Sequence, residues 1–241
     1  MRYVIFGDSF ADNNFPNNEY LEKRWSNLLD HPSKSYALLG SSIWYSIDEF
    51  FNYLKSDEYN KTDRIVFLYT HWSRAIRYTD NKFAKDHWRI TTPSVNKPET
   101  EFEKYQYKNK DVFKYIINNV ITNDMVTNIV SMLESYLNNI TNDTLLLPCY
   151  TLDEDELLGS TRTSYFSLAE VSRREFKNEK EMNKTFKNTT DLRANHLTFE
   201  NHKILANHII EYFKTFDNSI FKIENFDQPS LTQKNYMEIY T

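Results

Sequence analysis

The chain has 241 residues, with 29 basic and 34 acidic side chains and a net charge of -5. That length fits one α/β domain with insertions and a core that needs no disulfide staples. The mildly acidic balance, with no long Lys/Arg cluster, argues against a nucleic-acid partner. The 17 Tyr and 17 Phe are spread along the whole chain, which argues against disorder. The single cysteine, Cys149, excludes an intrachain disulfide and a multi-cysteine zinc site.

In chain order, residues 3–6 form an apolar run that reads as a buried strand and leads at once into Gly7-Asp8-Ser9. No room is left before it for a signal peptide, and no segment reaches the ~18 apolar residues of a membrane span. The expectation is an unexported, cytoplasmic chain with no membrane partner. Tyr20, Leu21, Trp25, Leu28 and Leu29 make a helical stripe over residues 20–29. A weaker strand over 35–39 ends at Gly40. A second stripe follows at Ile43, Ile47, Phe50, Phe51 and Leu54.

The next strand, residues 65–69, runs into Thr70-His71-Trp72-Ser73-Arg74. Residues 78–110 are polar and aromatic and read as a long insertion. A helical region over 111–139 precedes a third strong strand at 144–147, which is followed by Pro148 and Cys149, a buried structural thiol. Residues 150–190 form a second insertion, opening on the acidic run Asp153-Glu154-Asp155-Glu156 and including a charged helix near 168–182. That acidic run reads as a solvated loop, since it lacks the Gly-bearing spacing of a calcium site. The last helix spans 198–213, and the tail from 217 onward reads as irregular, available for surface packing or partner contact. Strand–helix alternation of this kind predicts an α/β class, a three-layer α/β/α sandwich around a central parallel sheet, with residues 1–216 as one domain.

Ser9 falls at the carboxyl end of the first strand, where a turn can present its hydroxyl and a backbone N–H to a substrate. A serine hydroxyl becomes nucleophilic only when an adjacent base takes its proton. Asp8 and Ser9 are equally suitable residue types for a helix N-cap. At the other end, His196 lies in the loop before the terminal helix and can reach toward Ser9. Asp191, five residues earlier, can orient its imidazole. His202 and His208 are already helical and read as surface or boundary residues. They would form a metal pair only with a third ligand that the sequence does not supply. The pairs Trp44-Tyr45, His71-Trp72 and His87-Trp88 either line a sugar-stacking cleft or belong to the core.

Gly7-Asp8-Ser9, together with His196-Leu197 and the following Asn201-His202-Lys203-Ile204-Leu205-Ala206 helix, resembles the SGNH, or GDSL-type, hydrolases. The resemblance covers both ends and the strand–helix order but neither insertion. It implies a flavodoxin-like sheet, a Ser9 nucleophile and a His196 base. It also implies an oxyanion hole built from the backbone N–H groups of Ser9 and Gly40. Two positions depart from the family pattern. The family's third block carries an Asn donor, and here Thr70, His71 and Ser73 stand instead, with His71 the candidate replacement or a structural hydrogen-bonding residue. The family's acid lies three residues before the histidine, where this chain has Arg193; Asp191 compensates if the loop is bulged, and otherwise a backbone carbonyl orients the ring. Asp8, Thr70, Trp72, Arg74 and Asn195 are candidate substrate-binding residues.

The expected reaction is hydrolysis of an O-acyl ester, with acetylated carbohydrate the favoured substrate. No metal or organic cofactor is implied, and the sequence does not set the oligomeric state. Two rival readings are a catalytically weakened SGNH domain that binds glycan or builds a larger assembly such as a virus particle, and a flavodoxin-like module in which Ser9 caps a helix over an anion.

Overall fold

The computed structural model describes residues 1–13, 22–38, 41, 43–69, 123–149, 167–187 and 191–240. Four strands, β1 (Tyr3–Phe6), β2 (Ser33–Ser35), β3 (Arg64–Tyr69) and β4 (Thr144–Pro148), form one sheet in the order β2-β1-β3-β4. All three pairings are parallel, with Tyr3 opposite both Ser33 and Arg64. After β2 the chain crosses to the other side of β1. The carboxyl ends of β1 and β3 therefore flank a point where the strand order reverses, the place where open α/β sheets hold ligands.

Six α-helices are described: α1 (Ile43–Lys55), α2 (Asn123–Asn139), α3 (Leu168–Arg174), α4 (Glu179–Phe186), α5 (Phe199–Thr215) and α6 (Gln233–Tyr240). The strand side chains divide by parity. Tyr3, Ile5, Val66, Leu68, Leu145 and Leu147 pack with Leu205, Ala206, Ile209 and Phe213 of α5. Val4, Phe6, Ile65, Phe67 and Leu146 pack with Ile43, Phe50 and Tyr53 of α1 and with Leu133 and Leu137 of α2. Both faces of the sheet are thus covered, which is why its strands read as continuous apolar runs. Each fully buried aliphatic or Phe side chain contributes about 1.5–3 kcal/mol.

Several expected elements come out differently. The stripe over 20–29 does not give a helix among the described residues, where a 3-10 turn at Trp25–Asn27 stands instead. Trp25 donates from its indole N–H to Phe10 O and from its backbone N–H to His202 Nδ1. These tertiary bonds fix the segment against the helical pattern. The weaker strand begins two residues earlier than expected, at Ser33, and its hydrogen bonding continues irregularly as Tyr36 N–H bonds Ile5 O and Leu38 N–H bonds Gly7 O. Of the long helical region, 123–139 is α2, and 111–122 lies outside the described residues. The charged helix near 168–182 is two helices, because Asn178 starts α4 afresh by accepting the Glu181 N–H. The tail is not irregular throughout. It carries two 3-10 turns and α6, which buries Tyr236 and Tyr240 beside Phe176 and Leu231. The insertion at 78–110 and the acidic run at 153–156 lie outside the described residues.

Gly7 closes β1 with φ at 156°, and a Cβ there would stand 2.7 Å from the Leu68 Cβ of the neighbouring strand. Gly7→Ala must push β1 and β3 apart beneath Ser9. The expected cost is about 1–3 kcal/mol, read as a lowered urea midpoint with an unchanged slope.

Candidate active site

The turn after β1 is held almost entirely through its carbonyls. Gly7 O accepts from Leu38 N–H and the Ser41 hydroxyl, and Asp8 O from Ala11 N–H. Ser9 O accepts from the Asn195 amide, Phe10 O from the Trp25 indole, and Ala11 O from the Ser35 hydroxyl. Asp12 O accepts from both Asn195 and Arg24. Phe10 N–H turns back to the Asp8 carboxylate at 3.1 Å. Ser9 is buried, and among the described residues its N–H has no acceptor. Residues 9–13 form a turn and not the first turn of a helix, so Ser9 caps nothing there.

From the far end of the chain, residues 191–198 arrive as a tight loop. Asp191 accepts the Arg193 N–H at 3.1 Å, and a 3-10 turn follows at Ala194–His196. Asn195 and His196 both have positive φ, at 45° and 65°. Two consecutive left-handed residues fold the chain back on itself, at a strain of about 1–3 kcal/mol each. The result is that a separation of five residues still lets Asp191 reach the histidine. His196 Nδ1 lies 3.1 Å from Asp191 Oδ2, and His196 Nε2 lies 3.0 Å from Ser9 Oγ. Ser9, His196 and Asp191 therefore form one hydrogen-bonded chain, with Phe10 packed at 5.1 Å from the imidazole ring.

Arg193 stands three residues before His196, and its side chain clamps Asp191. Its Nε donates to Asp191 Oδ1 at 3.0 Å and its Nη2 to Oδ2 at 2.7 Å, a bidentate fork. The guanidinium is fully buried, is paired on its other edge with Glu175 and Ser172, and lies over the Phe176 ring. Burial alone would push the Asp191 carboxyl up. The charge and hydrogen bonds of Arg193, with those of His196, instead hold it far below the usual carboxylate range. Asp191 is therefore ionised in the folded protein at ordinary pH.

Two candidate substrate-binding residues have other work. Asp8 is fully buried, with its carboxylate accepting from Phe10 N–H and facing the Cys149 thiol at 3.3 Å. Asn195 is also buried, its amide bridging the Ser9 and Asp12 carbonyls. Neither faces solvent, and both brace the turn. Gly40, Thr70, His71, Trp72 and Arg74 lie outside the described residues, so the second and third oxyanion positions are not placed. His87-Trp88 lies there too, while Trp44 packs partly buried against the core. Cys149 is buried, as expected for a structural thiol.

His202 is not a boundary residue. It is fully buried, accepts the Trp25 N–H at Nδ1 and donates from Nε2 to Ala194 O at 2.8 Å. It thereby ties α5 to both loops that carry the site. His208 is partly buried, edge-on to Phe221 and Phe226. Among the described residues, no three His, Cys, Asp or Glu side chains are grouped to hold a metal ion, and no helix is long and apolar enough to cross a membrane.

Burial depresses the His202 imidazole to about 4, with the Arg24 and Arg193 charges adding to the effect against the Ala194 hydrogen bond. The unfolded chain takes up this proton near pH 6.5 while the folded chain refuses it, so stability falls as pH drops from about 6.5 to about 4. The expected loss is about 2 kcal/mol between pH 7 and pH 5, measured by urea denaturation. His202→Gln, less stable at pH 7, is expected to lose the larger part of this fall, leaving the smaller part that comes from His208, whose imidazole burial also pushes down. Asp191 contributes in the same direction only below its ordinary carboxylate range, so the two groups separate on the pH axis.

No family model, curated protein or solved structure matches this chain.

Proposed function

We propose that the protein is a serine ester hydrolase of the SGNH type, with the three-layer α/β/α arrangement of that family. The observation that carries this reading is the Ser9–His196–Asp191 hydrogen-bonded chain beside a Ser9 N–H that has no acceptor among the described residues. In the proposed cycle His196 Nε2 takes the Ser9 proton as Oγ attacks the ester carbonyl carbon. The carbonyl π pair moves onto oxygen and is held by the Ser9 N–H. Collapse expels the alcohol, which receives its proton from His196, and leaves an acyl-Ser9 ester. Water, deprotonated by the same imidazole, then releases the carboxylic acid and restores Ser9. Asp191 holds the productive tautomer, with the proton on Nδ1, and stabilises the imidazolium formed in each half-reaction.

The substrate class is an O-acyl ester, with an O-acetylated carbohydrate as the favoured member. That preference rests on the family resemblance and on the aromatic pairs in the sequence. The test is to incubate the wild-type protein with a fluorophosphonate probe and with acetyl esters of a chromogenic phenol and of a sugar. Labelling with turnover of the esters is the expected result. Labelling without turnover would favour the weakened-domain reading, in which the protein binds glycan or builds an assembly. Absence of labelling would remove Ser9 as the nucleophile.

A further inference from the structure

The C-terminal helix reaches back to the acid. The Tyr236 hydroxyl of α6 donates to Asp191 Oδ1 at 3.1 Å and accepts the Leu192 N–H. The segment before the helix is fastened on both sides of Phe176: Leu231 N–H bonds Glu175 O at 2.7 Å and Lys177 N–H bonds Leu231 O at 2.9 Å. Gln233 N–H bonds the Glu181 carboxylate at 3.0 Å, and the Tyr236 ring stacks on Phe176 and meets Phe186 edge-on. Glu175, the second anion on Arg193, sits in the same stretch. The tail is therefore built onto the elements that hold the acid, and its one polar contribution to the Asp191 carboxylate is a hydroxyl.

We propose that Tyr236 is a positioning residue that, together with Arg193, limits the negative charge Asp191 presents to His196 and so sets the pH range in which His196 can act as base toward Ser9. The proposal rests on the reading of Ser9 and His196 as nucleophile and base. The physical argument is a division of the carboxylate. Oδ1 accepts from Arg193 N–H, Arg193 Nε and Tyr236 Oη, while Oδ2 accepts from Arg193 Nη2 and faces His196 Nδ1. Every donor on the carboxylate draws charge away from the imidazolium that forms during the reaction. The ionisable groups around Asp191 are Arg193 and His196 from its own loop, Glu175 behind Arg193, and Tyr236 and Tyr240 from α6. Burial and the Asp191 charge push the Tyr236 phenol up, so it stays a protonated donor. With the Arg193 fork intact, Asp191 keeps its place when the hydroxyl is removed, and its charge toward His196 increases.

The experiment compares wild type with Tyr236→Phe by two readouts. One is the His196 ring pKa from an NMR titration, assigned with His196→Gln. The other is the pH dependence of fluorophosphonate labelling. Both are expected to move upward in Tyr236→Phe, by about half a unit to one unit. Unchanged or lowered values, with only a reduced melting temperature, would make Tyr236 a packing residue and overturn the proposal. If the ring pKa moves while labelling does not depend on Ser9, the coupling stands and the hydrolase reading falls.

Discussion

Ser9→Ala is expected to reduce kcat for ester hydrolysis by about 10⁶-fold and to abolish fluorophosphonate labelling, with little change in stability. Ser9 Oγ makes a single side-chain hydrogen bond, to His196 Nε2, so truncation removes the nucleophile without opening the turn. The turn is held by its carbonyls, which the substitution leaves in place. His196→Ala should cost about as much, and the double variant no more than either alone, because the two groups act as a unit. A loss below about tenfold in Ser9→Ala would show that water or another residue attacks the ester, and the proposed acyl-enzyme would have to be abandoned.

Asp191→Asn is the second large effect, with an expected loss of about 10⁴ in kcat. Three donors converge on Oδ1, two from Arg193 and one from Tyr236. The single amide oxygen of Asn settles on that side, and its NH₂ then faces His196 Nδ1. Nδ1 must accept, the ring proton moves to Nε2, and Nε2 can no longer take the Ser9 proton. The same substitution removes a charge from buried Arg193, which keeps only Glu175 as an ionic partner. Breaking such a buried pair costs about 3–5 kcal/mol. Steady-state kinetics and urea denaturation of one variant measure both consequences. Near-wild-type kcat in Asp191→Asn would mean that the ring is oriented without the carboxylate, as in a Ser–His dyad.

The position of Ser9 was legible because its signal is local. An apolar strand running into Gly-Asp-Ser declares both the strand end and the serine that follows it within seven residues. The approach of His196 to Ser9 was legible from its place before a terminal helix. The contact of Asp191 with His196 was only half legible, since their spacing works through two left-handed residues, Asn195 and His196, that no residue type there announces. Arg193 read as a departure from the family pattern. Its role as a clamp depends on Glu175 and Ser172, some twenty residues away in sequence. Tyr236 lies further still, 45 residues from Asp191. Elements whose fate rests on remote hydrogen bonds were misread for the same reason. The 20–29 stripe looked helical, but Trp25 bonds to Phe10 and His202, and α6 looked irregular because its buried residues, Tyr236 and Tyr240, are few and follow Pro229 closely.

Ser9 and His196 are separated by 187 positions in the chain. At ribosomal rates of about 5–20 residues per second, Ser9 is synthesised ~10–40 s before His196. The turn that carries Ser9 is also unfinished during that interval, because Asn195 and His202 supply bonds to it and to Trp25. A nascent or carboxyl-truncated chain consequently has a serine with no proton acceptor and no fixed geometry. The distance along the chain thus leaves the Ser9 hydroxyl without its His196 partner until the 191–198 loop has been made.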